Sequence, residues 1–307
     1  MAGLSIKKIL KVIGEVRSGS SAAPRLCLVG EGVALRDAAG ALSAGAADVV
    51  EGISASFDVL APGDVPDDAR LLRRWRALIV VAPGCDAAQA ARIVAAARAA
   101  GVALVALAPE RESLAGSAWL ATAGVQRSES AASLGRPGEP KPTLHGRLAA
   151  VVDDDGIPLA QRLPSLRHAV ADHLVLAAAR QNGVIGAAFI IPGADMPAMT
   201  VNQIRMVLRI AAAYGEELGL DRALEILSVA GAGLVFRTLA RQALDFVPGF
   251  GWAVKGAVGF SGTVALGSAA IEYFEAGAPL TPARFTKIAG TVDRLRRALP
   301  FRGVAAG

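Results

Sequence analysis

Cysteine, histidine and aromatic residues are all scarce in this chain, and each shortage removes a class of function. There are 2 cysteines and 3 histidines in 307 residues. The cysteines, Cys27 and Cys85, belong to different segments and make no metal-spaced pair, so two buried thiols in a reducing cytosol are expected. Aromatics are only 5%. Basic residues therefore lack the interleaved rings of a single-strand stacking platform, and no nucleic-acid partner is expected. No secretory leader is expected either: residues 1–17 carry charges through their middle and no uninterrupted apolar stretch. The N-terminal half is expected in the cytoplasm.

Small apolar residues are what the chain has in abundance. Hydrophobic residues make up 53% and mean hydropathy is +0.45. Much of this is alanine, a helix former whose contribution overstates membrane character. Helices should approach closely through Ala and Gly. The length suits about two domains. A net charge of +5 and a pI of 9.6 suit an anionic partner.

The pattern changes along the chain. Ile6, Ile9, Leu10, Ile13 and Val16 recur at helical spacing, with Lys7, Lys8 and Lys11 on the opposite side. This is a short basic amphipathic helix, suited to anionic lipid headgroups or to lying on its own protein with solvated lysines. Residues 18–24 follow as a linker. From Arg25, continuous apolar strands at 25–30, 57–64, 77–84 and 102–109 alternate with helices near 33–44 and 87–100. Such alternation predicts a parallel sheet covered on both faces. Residues 124–143 read as a loop, 148–152 as one more strand, 153–158 as a turn and 166–180 as a linking helix.

The remainder reads as helical. One helix starts near Asp195 or Thr200, from an N-cap with Pro197 in the first turn or from a capping box with Gln203. Val201, Ile204, Leu208 and Ala211 form its apolar face, and Asn202, Arg205 and Arg209 share another. One or two helices over 221–245 are interrupted by Gly231 and Gly233. A Pro248 break precedes a helix over 252–274, and a last helix over 282–299 ends in basic residues. Gly251, Lys255, Gly259, Thr263 and Gly267 recur every fourth residue. They make a stripe of small side chains with one lysine, fit for a membrane hairpin, an oligomer contact or a tight internal bundle. The uncharged run 256–271 would extend about 24 Å as a helix, short of the ~30 Å hydrocarbon core. Runs 183–194 and 226–236 are shorter still, so shallow insertion or a buried bundle suits them better than ordinary spans.

The ordered series Ile191-Pro192, Asp195, Pro197, Thr200, Gln203, Met206, Ile210, Tyr214-Gly215, Pro248-Gly249, Gly251 and Gly267 resembles the YcjF-like family of uncharacterised, membrane-associated bacterial proteins. The resemblance covers roughly 166–276. Members are often fused to a small GTPase domain of the Era/TrmE type, which implies a GTPase-like fold upstream. A phosphate-binding loop needs G-x-x-x-x-G-K-S/T: glycines that let backbone amides wrap phosphate, a lysine, and a hydroxyl for Mg²⁺. The chain reads Gly30-Glu-Gly-Val-Ala-Leu-Arg-Asp37. Gly30 matches, but Leu35, Arg36 and Asp37 replace the second glycine, the lysine and the hydroxyl. Glu31 adds a carboxylate where polyphosphate would sit. The guanine-reading N-K-x-D is replaced by Ala108-Pro-Glu-Arg-Glu112. A pseudo-GTPase domain is expected, with Gly30, Gly32, Arg36 and Asp37 marking the degenerate loop.

No other catalytic constellation is present. His168 and His173 are five apart where a zinc-binding pair on a helix needs four, and Asp172 pairs better with His168. Asp153, Asp154 and Asp155 suit a solvated turn. The expected architecture is α/β followed by all-α. Residues 1–24 form an amphipathic helix and linker, 25–165 a parallel-sheet pseudo-GTPase-like domain, and 166–307 a glycine-rich apolar helical domain. The expected role is a non-catalytic adaptor or scaffold at the cytoplasmic face of the membrane, using no cofactor or metal, with an unidentified protein partner. Ile6, Lys7, Lys8, Ile9 and Ile13 would contact lipid. Trp252, Lys255 and Phe260 would lie near the interface, and Gly259, Thr263 and Gly267 would pack. The alternatives are a divergent nucleotide hydrolase using Gly30, Gly32 and Arg36, and a wholly soluble helical scaffold.

Overall fold

The computed structural model describes residues 24–47, 49–50, 53–54, 56–82, 84–108, 114–133, 143–188, 196–216 and 251–276. They divide into two compact units, one running to His173 and the other starting at Leu174. The first is an α/β unit, and the second is helical.

The α/β unit is built on strands β1 (Leu26–Val29), β4 (Phe57–Leu60), β5 (Ala77–Val81), β6 (Ala103–Leu107) and β7 (Ser130–Ala131). They form a five-stranded sheet in the order β4-β1-β5-β6-β7, and every pairing is parallel. A separate two-residue ribbon, β2 (Val49–Val50) and β3 (Ile53–Ser54), pairs antiparallel. Every residue of β1 and β5 is buried, as continuous apolar runs require when both faces are covered. Cys27, Val29, Leu78 and Val80 face a core shared with α3 (Ala87–Ala100) and with Leu72 and Trp75. Leu26, Leu28, Ile79 and Val81 are equally buried, on the side approached by α1 (Gly32–Ser43) and α5 (Leu144–Val152). Helix α3 is well punctuated. Asp86 caps its start by accepting from the amides of Ala88 and Gln89 at 2.9 and 2.8 Å, and Gly101 ends it at φ 68°.

The four long expected strands are all present. Residues 148–152, expected as a strand, are the second half of α5. Leu144, Leu148 and Val152 are buried one turn apart, and Thr143 caps the helix by accepting from the Gly146 amide at 3.1 Å. Helical periodicity wins over the short apolar run. The expected turn at 153–158 is a 3-10 turn over Asp153–Asp155 that leads into α6 (Gly156–Arg162). Helices α2 (Ala69–Leu72) and α4 (Leu114–Thr122) complete the unit.

The helical unit contains most of α7 (Arg167–Ala188), α8 (Met196–Ala213) and α9 (Gly251–Ala276). Helix α8 starts at Met196, so Thr200 lies inside it rather than at its cap. Asn202, expected to share a face with Arg205 and Arg209 away from the apolar one, is 8% exposed. Its amide finds partners inside the bundle. The expected helices over 221–245 and 282–299, the Pro248 break and the basic helix at 6–16 lie outside the described residues.

Candidate functional site

In a doubly wound sheet, ligands sit in the crevice beyond the carboxyl ends of the strands, where the strand order reverses. Here β1 has β4 on one side and β5 on the other, so that point lies between the ends of β1 and β5. Of the residues expected to mark a degenerate phosphate loop, Gly30 and Gly32 lie at this end of β1. Gly30 and Glu31 alone connect Val29 to Gly32, the first residue of α1. Arg36 and Asp37 are exposed on α1, beyond its first turn.

In this crevice two stretches of main chain approach closely. An added methyl group at Gly84 would stand 2.3 Å from the Glu31 carbonyl oxygen and 2.7 Å from its nitrogen. At Gly30 it would stand 3.3 Å from both the Cβ and the carbonyl oxygen of Val81. Only a residue without a side chain permits the approach at 84. The loop carrying Gly84 is also pinned. Trp119 Nε1 donates to the Cys85 carbonyl at 3.0 Å, and the next residue, Asp86, caps α3.

Both cysteines are in this unit, as free and buried thiols. Burial, reinforced by Asp58 and opposed by Arg74, pushes the Cys27 thiol up to about 12. Burial, with Asp86 and Glu31 adding to it and Arg92 opposing, pushes Cys85 up to about 11. Nucleophilic thiols need the opposite shift. Among the described residues, no three His, Cys, Asp or Glu side chains are grouped to hold a metal ion. His168 Nε2 lies 3.6 Å from Asp172, and His173 Nε2 lies 3.5 Å from Asp153.

The glycine stripe faces neighbouring helices of its own chain. An added methyl at Gly259 would meet the Asn182 carbonyl oxygen at 2.7 Å and Met199 Cε at 2.6 Å. At Gly267 it would meet Val175 Cγ2 at 2.3 Å, and at Gly256 the Gly183 carbonyl oxygen at 2.9 Å. Phe260 is partly buried and its Cβ packs over Gly183. Between the stripe members lies a polar cluster that the sequence reading missed. Asn182 Nδ2 donates to Thr263 Oγ1 at 2.8 Å, and Asn202 Nδ2 donates to Asn182 Oδ1 at 2.8 Å and to the Ala178 carbonyl at 3.1 Å. Gln203 Nε2 donates to Thr263 Oγ1 at 3.2 Å, and Thr263 in turn donates to the Gly259 carbonyl at 2.8 Å. Asn182, on an otherwise apolar helix face, was the available signal, since buried amides demand partners.

Among the described residues, no helix is long and apolar enough to cross a membrane. The side chains of Trp252 and Lys255 lie outside the described residues, as do Ile6, Lys7, Lys8, Ile9 and Ile13. The guanine-reading position is outside them too, apart from Ala108. No family model, curated protein or solved structure matches this chain. Nothing in those comparisons identifies a YcjF-like relation, and it rests on the residue series alone.

Proposed function

We propose that the chain is a non-catalytic adaptor or scaffold with a GTPase-like α/β unit that does not use nucleotide. The carrying observation is the close approach of main chain in the crevice. Gly84 lies against Glu31 where a doubly wound sheet would hold its ligand. A two-residue link between β1 and α1 is too short to wrap phosphates with successive backbone amides. Leu60 and Ala61 at the end of β4 supply no carboxylate for a nucleotide-bound Mg²⁺. Incubating the full chain with magnesium and GTP or ATP should release phosphate no faster than buffer does. Turnover that disappears in Gly30→Val or Arg36→Ala would instead favour the divergent hydrolase.

The YcjF-like resemblance and the basic amphipathic pattern at residues 6–16 support a place for the adaptor at the cytoplasmic face of a membrane. Contact would be made by segments outside the described residues, without a described helix crossing the bilayer. A wholly soluble scaffold is favoured by a different observation. Val264, Leu266, Ala269, Ala270 and Ile271 of α9 are each at most 7% exposed, so that apolar surface is already covered by protein. Co-sedimentation with vesicles containing anionic lipid separates the two. The membrane reading expects the full chain to pellet and a chain lacking residues 1–17 to pellet less. A full chain that stays in the supernatant supports the soluble scaffold.

A further inference from the structure

One margin of the α/β unit holds two guanidinium groups against a single carboxylate. Strand register sets Asp58 beside Cys27 and Leu60 beside Val29, on the face of the sheet that carries Leu72 and Trp75. Cys27 and Val29 are fully buried, whereas Asp58 and Leu60, one strand further out, are only partly so. A depression of about 500 Å³ opens there, lined by Arg25, Asp58, Val59, Leu60 and Arg74.

Hydrogen bonds arrange this lining in advance. Trp75 is 2% exposed, and its Nε1 donates to Asp58 Oδ2 at 2.6 Å. Arg25 donates to Asp58 Oδ1. Both carboxylate oxygens are therefore engaged, and Arg25 matches their charge. Arg74 is held at 4.0 Å over the Trp75 ring. Among the described residues it has no carboxylate partner, whereas Arg76 and Arg92 pair with Asp155 and Asp67. The lining thus carries one net positive charge. Stacking uses the face of the Arg74 guanidinium and leaves the N–H groups at its rim open to a second group.

We propose that this depression binds a phosphate group, held by the Arg74 fork with Arg25 as the second donor. Geometry favours phosphate over carboxylate. One guanidinium fork satisfies a planar carboxylate, whereas a tetrahedral phosphate accepts from two arginines approaching in different directions. Arg25 precedes β1 and Arg74 follows α2, so the two reach the depression from separate segments. A soluble phosphate ester and a lipid headgroup share this chemistry. The inference goes beyond the adaptor reading and does not involve the crevice, because Arg25 and Gly30 stand at opposite ends of β1.

The test follows the Trp75 indole N–H signal of the full chain by NMR during titration with inorganic phosphate. A saturable shift at millimolar phosphate or below is expected, with acetate at least about tenfold weaker. Arg74→Gln should weaken phosphate binding at least about tenfold, through loss of a charge-assisted contact. Arg70→Gln removes an exposed arginine that does not line the depression, and should leave affinity unchanged. Should Arg74→Gln fail to fold, the side-chain Nε–H signals of the wild-type chain decide the matter: phosphate should move those of Arg25 and Arg74 and not that of Arg70. Glycerol phosphate and vesicles of phosphatidylcholine with phosphatidic acid then separate the sources. Tighter binding of glycerol phosphate than of inorganic phosphate supports a soluble ester, and vesicle binding lost in Arg74→Gln but kept in Arg70→Gln supports a headgroup. No saturable shift, acetate binding as tight as phosphate, equal affinity in the two variants, or equal movement of all three arginine signals would overturn the proposal.

Discussion

The α/β unit and the helical unit both make their closest approaches at glycines, but what surrounds those glycines differs. In the α/β unit Gly84 brings one stretch of main chain against another, at Glu31. The sheet needs little else to set its register, because Ala77, Leu78, Ile79 and Val80 of β5 each have a partner on β1 and on β6. In the helical unit Gly259 and Gly267 bring α9 against α8 and α7. Helix faces rich in Ala and Gly are smooth and carry little register information of their own. There the amides of Asn182 and Asn202 and the hydroxyl of Thr263 are joined across three helices. A buried polar contact that is satisfied in only one alignment penalises every other, which is the best-attested use of such groups. Backbone pairing fixes alignment in one unit, and side-chain amides do so in the other.

The largest expected effect comes from Gly84→Val. The new side chain would collide with main-chain atoms of Glu31 that cannot rotate away, so the cost should reach about 3 kcal/mol, the upper end for overpacking. Gly40→Ala on α1 is the matched control. Nothing lies within 4 Å of an added methyl there, and replacing a mid-helix glycine should stabilise by roughly 1 kcal/mol. Chemical unfolding of both variants checks the contrast. If Gly84→Val unfolds with the wild type, the two segments do not touch.

Gly259→Leu should be nearly as damaging in the helical unit, at about 1–3 kcal/mol, and Ser261→Leu clearly milder. Because the Gly259 contact is internal, Gly259→Cys should give no covalent dimer on oxidation. A dimer band on non-reducing gels would move the stripe to an interface between chains.

Next in size is the amide network. Asn182→Ala removes the donations to Thr263 Oγ1 and, at 3.4 Å, to the Met199 carbonyl, together with the acceptor used by Asn202, an expected loss of about 1–3 kcal/mol. Combined with Thr263→Val, it should show a coupling of about 1 kcal/mol in a double-mutant cycle. Strict additivity would mean that the hydrogen bond between Asn182 and Thr263 does not contribute.

The difference between the units also explains what could be read from the chain. Continuous apolar strands such as Ala77–Val81 announce a doubly covered parallel sheet, and the four long strands were legible for that reason. The fourfold spacing of Gly259, Thr263 and Gly267 likewise announced a packed face. Its partners did not follow from spacing, because Asn182 and Val175 lie some eighty residues away and nothing local links them to it. The spacing that sets Asn202 beside Arg205 and Arg209 does not reveal its burial, because polarity is a poor guide once an amide has partners inside. The closed crevice was invisible for a related reason. Gly84 appears in the sequence as an ordinary turn glycine, and only the fold brings it to Glu31.

A further effect is expected at the thiols. In the native chain Cys85 should be about one part in a thousand thiolate at pH 8, given a value near 11. A disulfide-exchange reagent should therefore label it slowly until urea is added. Both thiols hold their protons to higher pH when folded than when unfolded. Above pH 9 the unfolded chain binds fewer protons, so stability should fall as pH rises from about 9 towards 12. Stability that rises over this range would show that neither thiol is buried as described.

The most direct test of the closed crevice is the amide NMR spectrum of the full chain, with Gly30, Glu31, Gly32 and Gly84 assigned, during titration with magnesium and GTP and then with magnesium and ATP. The account predicts no displacement of these four signals at millimolar nucleotide. Saturable shifts centred on Gly30, Glu31 and Gly84 would show that the loop opens to admit a ligand, and would contradict it.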